Sequence, residues 1–167
     1  MLGAFLLILP FGALFAWVGS IINHRFVAGD FLHILPPTNL YIIIPIALVT
    51  IIMHEVIHGL CDWVLSQSRP EFGFKLHPYT KLAPGVYISR DRGLLYTLAP
   101  AITVSLLGLI AIPHLSSGAT AWTFLVITVN AAASCGDYVV AMWLLRQPRQ
   151  ALWGAEGVLN VVYERTD

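Results

Sequence analysis

Charge is scarce in this chain. Asp, Glu, Lys and Arg make up 11% of its 167 residues, less than half the share of about 25% in ordinary soluble domains. Nine acidic and nine basic residues cancel to a formal net charge of zero, which argues against a nucleic-acid partner. Two cysteines, Cys61 and Cys135, are too few for a disulfide framework. Both fall in apolar runs and are expected to be small buried thiols. No positive segment precedes the first apolar run, so that run is expected to remain as an anchor rather than be cleaved as a signal peptide. Internal repeats and low-complexity tracts are also missing.

What fills the chain instead is hydrocarbon: 57% of residues are hydrophobic and the mean hydropathy is +0.77. Four apolar runs, at about 2–22, 40–65, 93–112 and 119–145, are each long enough for a helix to cross a bilayer. Pro10, Pro45 and Pro100 interrupt three of them, but proline is tolerated in helices within lipid. The expected fold is therefore all-α, a single polytopic membrane domain over residues 1–167 with four transmembrane helices. Connection 66–92 adds two candidate strands, 72–77 and 85–89, which would turn around Pro78–Pro84 into a small hairpin. Irregular loop is the alternative; a hairpin edge could receive an extended peptide. Residues 158–163 read as a short strand or an interfacial patch. With four crossings, Arg69, Lys75, Lys81, Arg90, Arg92, Arg146, Arg149 and Arg165 collect on the side of both termini, against Arg25 alone opposite. The positive-inside bias puts that side, and both termini, in the cytoplasm of a cell-membrane protein.

One stretch in the second run carries the chemistry: Met53-His54-Glu55-Val56-Ile57-His58-Gly59. His54 and His58, four apart, share one face of a helix and can bind one metal ion. Glu55 lies about 100° around the helix, placed to act on a water at that ion. The competing explanation is a polar cluster joining neighbouring helices. It must account for three titratable side chains in an apolar segment, which are costly unless paired, neutral or bound to something.

A catalytic zinc takes three protein ligands and keeps a fourth position open. Asp137 is the candidate third ligand, because it lies as far from the cytoplasmic end of its run as the histidines do from the end of theirs. Asp62 is four residues after His58 but about 12 Å of helical rise from His54. It is expected to be a membrane-edge carboxylate or a contact near His58 rather than a ligand. Asn130, two turns before Asp137, is a candidate donor to an oxyanion or to substrate backbone, with an interhelical hydrogen bond as its alternative. Ser134 sits between them, able to bond the helix backbone or a ligand. Gly59, Ala131–Ala133 and Gly136 are small enough to let the second and fourth runs approach closely. His24, His33, His77 and His114 lie in or beside connections and are expected at the surface. Together these residues point to metal-assisted hydrolysis, with Glu55 as general base.

His54-Glu55-x-x-His58-Gly59, followed two apolar runs later by Gly136-Asp137, resembles the core of site-2-type intramembrane metalloproteases. It is more similar still to the small bacterial integral membrane proteins called putative zincin peptidases, over roughly residues 40–149. The resemblance implies zinc held by His54, His58 and Asp137, water activation by Glu55, and a positioning role for Asn130. It also implies cleavage of a membrane protein or peptide substrate at the bilayer. This chain lacks the Asn-x-x-Pro and Leu-Asp-Gly runs of the site-2 group. A non-catalytic, metal-stabilised membrane scaffold or binding protein is the alternative.

Overall fold

The computed structural model describes residues 2–22, 40–74, 78–156 and 159–163. The expectations for His24, His33 and His77 lie outside the described residues. In chain order the elements are α1 (Leu2–Ile22), α2 (Leu40–Ser66), β1 (Glu71–Phe74), β2 (Pro78–Lys81), β3 (Tyr87–Ser89) and α3 (Arg90–Ala111). A 3-10 turn (Ile112–His114) follows, then α4 (Ser117–Ala133), α5 (Cys135–Leu145), β4 (Leu152–Glu156) and β5 (Leu159–Tyr163).

Two stretches, Tyr41–Ser66 and Arg90–His114, are long and apolar enough to cross a bilayer, and α4 with α5 makes a third if the broken pair is one span. The apolar stretch Leu6–Ile22 of α1 is shorter. Among the described residues the count is thus two or three, not the expected four. The run at 119–145 is not one helix but two, broken at Ser134. That residue's ψ of 8° departs from the helical value, and its N–H and Oγ both bond the carbonyl of Asn130. A serine that turns its hydroxyl onto the preceding turn competes with the helical ladder. At the other end of α4, the Ser116 hydroxyl caps the helix by accepting from the N–H of Ala119.

The chain groups into two compact units. The first comprises residues 1–51 and 101–135. Here α1 packs along α4. Gly12, buried Phe15 and Gly19 form the contact stripe: Gly12 lies against Thr128, and the ring of Phe124 occupies the space a side chain at Gly19 would need. Small residues substitute in lipid for the hydrophobic drive that water would supply.

The second unit comprises residues 52–100 and 136–167. Its core is Leu82, Ile88, Tyr96, Leu144 and Trp153. A side chain at Gly93 would press within 2.9 Å of the Trp153 ring. Two small antiparallel sheets belong to this unit, so the fold is the expected helical one with a small β region added. One is the hairpin of β1 and β2, in register from Glu71↔Lys81 to Phe74↔Pro78 and tied by a 3.1 Å Lys81–Glu71 ion pair. Pro78 opens its strand, where a missing N–H costs least. The expected partner, 85–89, is not in that hairpin: β3 pairs with β4, and β4 with β5, in a three-stranded sheet. The tail strand 159–163 is therefore structural.

At the end of α2, Gln67 adopts φ 57°, the left-handed conformation that ends many helices. The chain turns back there, and Phe72 of β1 comes to lie on Gly59, where any β-carbon would meet its ring. Gly59 thus makes room for the hairpin, not for a neighbouring helix. A β-carbon at Gly136 would meet nothing within 4 Å, so that glycine is not a close-packing residue either.

Candidate metal centre

Residues His54 and His58 project from one face of α2, their rings edge to face with centroids 4.8 Å apart. Both are buried, at 5% and 4% exposure. Asp137 stands in the first turn of α5, where the helix dipole favours a negative side chain. Its Oδ2 lies 3.1 Å from His54 Nε2 and its Oδ1 3.3 Å from His58 Nε2. One ligand atom from each of the three residues falls within 4.8 Å of the others.

The tautomer of His58 is set by its surroundings. Its Nδ1 lies 3.1 Å from the backbone oxygen of Tyr96, and a carbonyl can only accept, so Nδ1 carries the proton and donates it. A ring holding its one proton there presents a bare lone pair at Nε2, facing a carboxylate oxygen that is also an acceptor. Two acceptors 3.3 Å apart repel unless a cation or a proton lies between them. Asp137 Oδ2 is likewise buried with no hydrogen-bond partner. A tetrahedral zinc with bonds of about 2.0–2.2 Å separates its nitrogen and oxygen ligands by about 3.3–3.5 Å, close to the spacings found. The donor set therefore fits zinc.

The carbonyl of Tyr96 is available because of Pro100. A helical carbonyl normally accepts from the N–H four residues on; at position 100 of α3 that residue is proline, which has none. The freed oxygen orients His58, as carbonyls behind metal-binding histidines commonly do. The Tyr96 ring packs on the His58 ring at 4.7 Å, and its hydroxyl donates to the carbonyl of Thr80. Thr80 in turn donates through Oγ1 to the carbonyl of Glu55, at 2.9 Å. This relay ties α3 through β2 to α2 around the motif.

The side chain of Glu55 is half-buried and has no hydrogen-bond or ion-pair partner among the described residues. Asp62, expected as a membrane-edge carboxylate or a contact near His58, is wholly buried, with both oxygens unpaired. It is also outside the cluster of three. Asn130 is wholly buried in the first unit, where its carbonyl accepts from Ser134. Ser134 spends its hydroxyl there rather than on a ligand. Cys61 and Cys135, expected as small buried thiols, are free and half-buried and stand outside the cluster of three, and His114 is exposed. Tyr96 and Thr80 were not among the candidates from sequence; the signal for Tyr96 was Pro100, four positions on.

A model of the family described as "Putative zincin peptidase" matches residues 47–152. That span contains the motif, Asp137, Tyr96 and Pro100. No curated protein and no solved structure matches the chain.

Proposed function

The chain belongs to the putative zincin peptidase family, and from that premise we propose that it is a zinc-dependent intramembrane peptidase acting on membrane-associated proteins. The observation that carries the proposal is the Asp137 carboxylate set against both motif imidazoles, at 3.1 and 3.3 Å. His54, His58 and Asp137 would hold the ion. Zinc bound there supplies positive charge that acidifies a water and polarises a scissile carbonyl.

The remaining work falls to the chain's own side chains. Glu55, adjacent in sequence and unencumbered, takes a proton as water adds to the carbonyl carbon. It returns that proton to the departing amine as the C–N bond breaks. The Tyr96 carbonyl keeps His58 in the tautomer that directs Nε2 at the site. Asn130 is proposed as a donor to the oxyanion or to substrate backbone. A helical substrate would have to unwind locally, because an intact helix engages its own carbonyls.

We further place α1 as a fourth crossing, with both termini and connection 66–92 in the cytoplasm. The support is the charge distribution: eight of the nine Lys and Arg residues then lie on that side. The whole of 1–167 would act as one metallopeptidase domain.

The test uses purified full-length chain with Glu55→Gln, assayed for zinc and for cleavage of candidate membrane substrates. Zinc should remain at one per chain while cleavage falls by about 10²–10⁴-fold, the usual contribution of a general base. Retained cleavage would remove Glu55 from the chemistry. Bound zinc without cleavage of any substrate by the unaltered chain would favour a metal-stabilised scaffold.

A further inference from the structure

The side of α2 that faces away from the histidines carries a second feature. A cavity of about 290 Å³ is lined by Val56, Gly59, Leu60, Trp63, Arg69 and Phe72, together with Pro70. Val56, Leu60 and Trp63 form one helical stripe, about 10 Å long and on the opposite side from His54 and His58 at 100° per residue. Phe72, seated on Gly59, forms the other wall. These walls are hydrocarbon, and their large side chains stay exposed at 44–59%. Arg69 is the exception. Lys81 pairs with Glu71, Arg90 with Asp91, and Arg92 bonds the Leu65 carbonyl. The guanidinium of Arg69 has no such partner among the described residues.

We propose that this groove is a binding site for an anionic phospholipid, with one acyl chain along Val56, Leu60 and Trp63 and the phosphate on Arg69. The proposal depends on the chain being in a membrane and not on its being a peptidase. The vertical order of the residues fits a lipid. Trp63 lies one turn before the end of α2, where aromatic rings mark the membrane–water boundary. Arg69 follows just beyond, at headgroup level, and the purely apolar positions Val56 and Leu60 lie deeper. A guanidinium matches a phosphate with two parallel hydrogen bonds. It disfavours a headgroup whose own cation would sit beside it.

Other occupants fit less well. A peptide inserted into the groove would find no polar side chain other than Arg69, and only the free edge of β1 could pair with its backbone N–H and C=O groups. A second copy of the chain docked through the same face would bring two unpaired Arg69 residues together.

The experiment uses full-length chain in phosphatidylcholine vesicles, doped with increasing fractions of phosphatidylglycerol or phosphatidylcholine brominated on one acyl chain. Bromine quenches tryptophan at close range, and subtracting the signal of Trp63→Phe isolates Trp63. Half-maximal quenching should need about fivefold less brominated phosphatidylglycerol than brominated phosphatidylcholine, the preference expected of one basic side chain near a membrane surface. Arg69→Gln should bring the two curves together and leave zinc content unchanged. Equal curves in the unaltered chain would overturn the proposal, as would a preference that survives Arg69→Gln. Absence of quenching by either lipid, with the chain running as a dimer, would assign the groove to a second copy and overturn it too.

Discussion

The two sides of α2 invert the pattern of a water-soluble helix. His54, His58 and Asp62 are turned inward, at 5%, 4% and 0% exposure. Val56, Leu60 and Trp63 are turned outward, at 44%, 55% and 59%. In water such a helix would lose on both counts, exposing its hydrocarbon and burying its polar groups. In a bilayer the outward face rests against hydrocarbon at no cost, and only the inward face needs an explanation. A cation shared by three side chains accounts for His54, His58 and Asp137 together.

Changes on the inward face should therefore be severe and should act through metal, whereas changes on the outward face should be mild and leave metal alone. The largest effect is expected from Asp137→Ala. It removes the carboxylate that both imidazoles face, so bound zinc, measured by elemental analysis of purified protein, should fall from one per chain to near zero, and cleavage should go with it. Full zinc occupancy in that variant would separate Asp137 from the site.

An intermediate effect is expected one layer back. Pro100→Ala restores an N–H that can bond the Tyr96 carbonyl within α3, in competition with His58. Zinc affinity, measured by chelator competition, should weaken about 10–100-fold, the usual cost of losing an orienting contact behind a ligand. The α-helical content seen by circular dichroism should stay level or rise slightly. Unchanged affinity would mean that the His58 contact does not depend on the proline.

The smallest effect is expected on the outward face. Val56→Ala lies between Glu55 and Ile57 in sequence but points to the opposite side. Stability should change by about 0.5 kcal/mol or less, and zinc content not at all. A loss of zinc there would mean that the two faces are not independent.

Much of the site could be read from residue order because it depends on two regular spacings. Four residues place His54 over His58, and counting from the end of each run brings Asp137 to their depth; in the structure these three side chains converge. What escaped was nonlocal or depended on a single side chain. The break at Ser134 lies inside an apolar run that reads as one helix, and it rests on one hydroxyl turning inward to Asn130. The pairing of β3 with β4 joins strands more than sixty residues apart, and nothing local marks it. The hairpin was expected in the right connection but with the wrong second strand, because Pro78 marks the start of a strand as well as a turn. Tyr96 was passed over because aromatic residues in apolar runs are ordinary. Its role becomes visible only when Pro100 is seen as a residue that releases a carbonyl. The position of Asp62 near a run's end suggests a membrane-edge carboxylate or a contact near His58, and gives no sign that the surrounding unit buries it completely.

The central claim, that His54, His58 and Asp137 share one zinc, is tested most directly by zinc X-ray absorption spectroscopy on the purified full-length chain. The expected result is one zinc per chain with a first shell of nitrogen and oxygen at about 2.0–2.2 Å, including the outer scattering of two imidazoles. A sulfur shell at about 2.3 Å would place the ion on Cys61 or Cys135 instead, and a preparation that binds no zinc at all would contradict the claim outright.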